Sequence, residues 1–130
     1  MATDAIAIAG TALTVHRKWL DAISDNIANV NTVRSTNEEA FKAHYVIARA
    51  GEGTTGVYVE GGAYSSSEGR MVYEPDHPLA DEKGYVRYPD IDLGQQMGQL
   101  IMAQRGYEAN AAVVDRAKTT YEAAIQIGRN

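Results

Sequence analysis

The densest group of ionisable side chains in the sequence is Glu74, Asp76, His77, Asp81 and Glu82. One imidazole among several carboxylates is a donor set that a divalent ion can use, but no second histidine lies nearby and the spacing matches no known metal loop. Pro75, Pro78 and a closing Gly84 force an ordered, non-helical connection there. The acids then read as solvated loop charges, and His77 as the residue before a proline in a tight turn. Ser65 to Ser67 lack the flanking glycines of a nucleophile elbow, and Gly51 to Gly56 lack the Lys and Ser/Thr of a phosphate loop. The chain has no cysteine, which removes disulfides, zinc thiolates and thiol catalysis together. His16 falls on an apolar helix face, where a packing role outweighs catalysis, and His44 carries no signal. No catalytic, cofactor-binding or metal-binding residue is assigned, so no cofactor is expected and the chain reads as a non-enzyme.

Two polar groups remain. Asn26, Asn29 and Asn31 crowd one short run, and Arg105, Tyr107 and Asn110 crowd another. Asparagine favours helix ends because its amide bonds nearby backbone and it tolerates left-handed conformations. The first trio therefore marks either a helix terminus with a turn or, at Asn26 and Asn29, buried amides that fix one register across an interface. The second trio is either a hydrogen-bonding contact between packed helices or ordinary helix surface.

Both groups sit on long helical patterns. From Ile6 to Asn31 the row Ile6, Ala9, Leu13, His16, Leu20, Ile23, Ile27 and Val30 steps by three and four. A second row, Ala5, Ile8, Ala12, Val15, Trp19 and Ala22, runs beside it, so the apolar sector spans about 160° where a core-facing helix needs roughly 100°. Such a helix is enclosed on several sides, and the row with Ile8, Val15 and Trp19 is assigned to neighbouring chains. After Pro89, Asp90 or Asp92 can cap a second helix reaching about Gly128, or roughly 55 Å. Leu93, Met97, Leu100, Tyr107, Ala111, Val114, Tyr121 and Ile125 follow helical spacing along it. Gly94, Gly98 and Gly106 each cost about 1 kcal/mol against alanine in a helix, which points to close backbone approach or a bend.

Between the helices, strands are expected over Phe41 to Ala50, Val57 to Glu60, Arg70 to Glu74 and Gly84 to Tyr88, with Gly61-Gly62 as punctuation. Ser35 with Glu38, or Thr36 with Glu39, can cap a short helix before them. Six of the eight tyrosines lie from Tyr45 to Tyr88, which suits a thin sheet with little core of its own. The formal charge of -5 is concentrated in residues 51 to 90, with eight acids against three bases. That distribution opposes a nucleic-acid groove. No run of about 18 apolar residues predicts a membrane span, and the N-terminus carries no visible cleavable secretory signal.

Asn26-Ile-Ala-Asn-Val-Asn-Thr32 closely resembles the N-terminal Asn-Leu-Ala-Asn-x-Asn-Thr signature of the bacterial flagellar axial proteins, the rod, hook and hook-associated subunits. Gln104-Arg-Gly-Tyr-Glu-Ala-Asn110 resembles their C-terminal Gln-Arg-Ala-Tyr-x-Ala-Asn motif, with Gly106 where alanine is commoner. The stretch from Val72 to Val86 is similar to a segment of proximal rod proteins of the C type. The resemblance implies a structural subunit of the basal-body rod, in the periplasmic space, exported by the flagellar type III apparatus without a cleaved signal. It implies terminal helices that pack with copies of the chain and other rod proteins into a tubular drive shaft transmitting torque. The expected assembly residues are Ile8, Val15, Trp19, Asn26, Asn29, Asn31, Arg105, Tyr107 and Asn110.

The expected fold is α+β: two long terminal helices form an antiparallel coiled pair around a small β-rich insertion. The divisions are 1–33 for the first helix, 34–90 for the insertion and 91–130 for the second helix. A soluble helical-hairpin adaptor or chaperone-like binding module is the competing reading, and a metal-dependent hydrolase centred on His77 is the third.

Overall fold

The computed structural model describes residues 2–129, which run α1 (Ala2–Ala28), β1 (His44–Ala50), β2 (Val57–Tyr64), β3 (Arg70–Tyr73), β4 (Tyr85–Tyr88) and α2 (Leu93–Gly128). Two helices flanking a small β-rich region make an α+β fold. Strands β1 and β2 form one two-stranded sheet, and β3 and β4 form another. The two helices run antiparallel: His16 lies against Gly106 and Asn26 against Gln96, so ten residues forward on α1 is ten back on α2.

Several boundaries differ from the sequence expectation. Helix α1 ends at Ala28, because Asn29 closes it: the Asn29 amide nitrogen donates to the Asp25 and Asn26 carbonyls, and its side chain donates to Asp25 O at 2.9 Å. Strand β1 starts at His44 rather than Phe41, and β2 runs through Gly61-Gly62 to Tyr64. Ser35 and Glu38 do bond to each other, but around a single turn with no helix after it. A pair of capping residues satisfies only the first amides; a helix also needs an apolar periodic run to follow.

The chain divides into two compact units, each with pieces of both helices and of the β region. Among the described residues one comprises 2–20, 46–61 and 101–129. Here Val15 is only 8% exposed, and Val15, His16 and Trp19 face Val46, Ala48 and Val57 across an apolar hollow of about 310 Å³. The second apolar row of α1 is therefore met by the chain's own β1–β2 hairpin at Val15 and Trp19. Thr11 fixes the hairpin further, its hydroxyl accepting from Val57 N at 3.1 Å. Gly56 has φ 106° and packs on Thr11 so closely that any side chain there would strike it.

The other unit comprises residues 21–45 and 62–100. Its core holds Ile23, Ala40, Ala43, Val86 and Ile91. Strands β3 and β4 pair antiparallel, with Val72 opposite Val86 and Tyr73 opposite Tyr85. Arg34 bridges to Arg87 on the outer edge of β4. The loop between β3 and β4 is built on Asp81, whose Oδ1 accepts from the amides of Lys83 and Tyr85, both at 2.9 Å, and whose Oδ2 accepts from Thr36 Oγ1 at 3.1 Å.

Candidate assembly surface

Asn26 lies in the last turn of α1 and is 1% exposed. Its carboxamide behaves like a strand neighbour. Oδ1 accepts from the His44 amide at 2.7 Å, and Nδ2 donates to the His44 carbonyl at 2.9 Å. The second Nδ2 hydrogen goes to Gln96 Oε1 at 3.1 Å, and Gln96 is itself fully buried. One side chain thus ties α1 to the first residue of β1 and to the first turn of α2. Flipping the Gln96 amide would set donor against donor, so only one orientation serves. Gln96 is placed by the helix cap: Asp92 Oδ1 accepts from Gln95 N at 3.0 Å, and Asp92 O from Gln96 N at 3.0 Å. His44 is held by neighbours too, between Phe41 and Tyr64 with ring centroids 5.5 and 5.0 Å away, and 3.7 Å from Asp25.

The other residues singled out in the sequence fall into different environments. Ile8 is 36% exposed, Asn31 and Arg105 are exposed, and Tyr107 is 38% exposed. Trp19 is half-buried against the hairpin, and Asn29 accepts from Thr32 Oγ1 at the helix end. Asn110 donates back to Gly106 O at 2.8 Å within its own helix. The structure therefore uses the side chains of Val15 and Asn26 inside the chain and leaves Ile8, Asn31, Arg105 and Tyr107 open. Sequence reasoning misses Gln96. The available signal is an amide on a spacing otherwise held by Leu100 and Ala103, matched by Asn26 on the opposite helix.

The covered row of α2 is Gln96, Leu100, Ala103, Gly106, Asn110, Val114 and Ala117, spaced by three and four. It is made mostly of small and amide side chains. Of the residues that follow helical spacing, Leu100 and Val114 lie on this row, whereas Leu93, Met97, Tyr107, Tyr121 and Ile125 are each 38% exposed or more, as are Ile101, Met102, Val113 and Ile127. Tyr121 and Ile125 continue the covered row beyond Ala117, where every described residue is exposed. Leu93, Met97 and Ile101 form a separate i, i+4 row with Gly94 and Gly98 beside it.

The acidic loop offers no comparable chemistry. His77 Nδ1 accepts from the Leu79 amide at 3.0 Å, which makes it a turn residue. The amides donating to Asp81, Tyr85 first, hold its carboxyl below the ordinary value. The Tyr88 hydroxyl donates to Glu74 Oε1 at 2.9 Å, and that bond raises its pKa. Among the described residues no group of three or more His, Asp or Glu side chains is placed to hold a metal ion. Among the same residues no helix is long and apolar enough to cross a membrane.

Two family matches cover the helical ends. Residues 6–34 match the family described as flagella basal body rod protein, and residues 82–127 match the family described as flagellar basal body rod FlgEFG protein C-terminal. The flagellar basal-body rod protein FlgC of Escherichia coli O6:H1 is 34% identical over 126 residues, covering 94% of each chain. The protein of the same name from Borreliella burgdorferi is 32% identical over 143 residues, and that from Bacillus subtilis 28% over 142, each covering 94% of this chain. These matches favour a structural rod subunit over a helical-hairpin adaptor, and the family is a structural one. The end-to-end match, the paired asparagine and arginine-tyrosine motifs and the outward apolar rows agree, and the chain belongs to the flagellar basal-body rod protein family of the FlgC type.

Proposed function

We propose that this structural rod subunit assembles through the outward faces of its two helices, packing against copies of itself and other rod proteins to form a torque-transmitting shaft. The observation that carries this reading is the exposed apolar surface of α2, where Leu93, Met97 and Ile101 form a row apart from the covered one and Tyr121 and Ile125 lie uncovered beyond Ala117. Burying such residues yields about 25 cal/mol per Å², so the assembly energy is distributed over a long contact with no dominant residue. Distribution suits a shaft, because a load applied to one subunit is shared among many modest contacts. Ile8, Asn31, Arg105 and Tyr107 are the exposed residues assigned to contacts with neighbours, and Asn29 and Trp19 stand at their margin.

The same reading includes delivery by the flagellar export apparatus to a rod in the periplasmic space. The test is deletion of the gene in a flagellated host, followed by isolation of basal bodies and complementation. Loss of swimming, its restoration by the intact gene, and recovery of the chain in purified basal bodies are expected. A deletion strain that still swims would overturn the reading.

A further inference from the structure

The helix pair contains a steric fit that the shared motif does not require. Gly106 stands where alanine is commoner in the resembling motif, and a Cβ at that position would overlap Nε2 and Cδ2 of His16 and lie 3.3 Å from Cε1. The His16 ring is not free to drift. Its Nδ1 bonds to the Ala12 carbonyl at 2.8 Å, and its centroid is 5.9 Å from that of Trp19. The ring therefore fills a notch in α2 left by the missing side chain.

We infer that His16 and Gly106 form a register key, a positioning pair that stops α1 sliding along α2. A slide of one turn in either direction would set the ring against Met102, Ala103, Ala109 or Asn110, all of which carry a Cβ. Gly106 is the sole glycine between Gly98 and Gly128, so no shift of a single turn finds a second notch. The key lies ten residues along α1 from Asn26, whose bond to Gln96 fixes the same register by hydrogen bonding.

Thermal melting of the purified full-length chain tests this, with Gly98→Ala as the control because a Cβ there meets nothing. Alanine normally improves a helix over glycine, so Gly98→Ala is expected to melt at or above the parent temperature. Gly106→Ala is expected to melt about 5 °C lower or more, or to fail to fold. His16→Ala combined with Gly106→Ala is expected to recover most of that loss. A Gly106→Ala chain that melts like the parent overturns the inference, since the ring then moves aside freely. So does a double variant that is no better than Gly106→Ala, since the glycine is then needed for another reason. The readout is independent of the rod reading, which stands or falls on swimming and basal-body content.

Discussion

Along α1 the large apolar side chains other than Ile8 are buried or half-buried, whereas along α2 most of them are exposed. Ile23 is 1% exposed and Val15 8%, while Met97 is 47% and Ile101 49%. Both helices carry apolar residues at helical spacing, so the difference lies in what covers them. Helix α1 has two partners within the chain: α2 against one row and the β1–β2 hairpin against part of the other. Helix α2 meets α1 at Gln96 and Gly106, on a narrow covered row that also holds Ala103 and Asn110, and most of its bulky residues are left over. A helix that serves one chain and a helix that serves an assembly can thus look alike in sequence.

That contrast can be broken in graded steps. Ile23→Ala removes a buried side chain and is expected to destabilise the isolated chain by about 3 kcal/mol in urea denaturation, whereas Ile125→Ala should stay within about 0.5 kcal/mol. Asn26→Ala leaves the His44 backbone groups and Gln96 without their partner, and the expected loss is about 2–3 kcal/mol by the same assay. Asp92→Ala removes the cap of α2, with a loss of about 1 kcal/mol and reduced helicity by circular dichroism.

Asp81 sharpens the comparison from the loop side. Its carboxyl titrates below the ordinary value when folded. The stability it contributes is therefore present above the unfolded-state value and lost as pH falls through the lowered folded value. Denaturation midpoints of the parent and Asp81→Asn should differ at neutral pH and converge as the carboxylate is protonated in acid. A gap that widens in acid would reverse the assignment.

Much of the fold is legible in the sequence. The Asp92 cap, the helix ending near Gly128 and all four strands follow from capping, glycine and β-branched signals, to within a few residues. The exceptions have a common cause. Periodicity shows that Leu93, Met97, Tyr121 and Ile125 share helical spacing, but it does not show whether a partner belongs to the same chain. Val15 and Trp19 show the converse, since periodicity assigns them to neighbours although the hairpin meets them. Hairpin placement depends on contacts such as Thr11 with Val57, which are distant in sequence and carry no local pattern. Asn26 shares this gap. Its amide reads either as a turn former or as a partner across an interface, and the contact it makes lies within the chain.

The central claim is that the outward row of α2 serves neighbouring subunits and contributes little to the chain's own fold. Met97→Glu with Ile101→Glu tests it directly, read by melting of the purified chain and by swimming of a deletion strain carrying the variant. The account predicts a melting temperature within about 2 °C of the parent, as for exposed positions generally, together with loss of swimming. Normal swimming with both charges in place would contradict it.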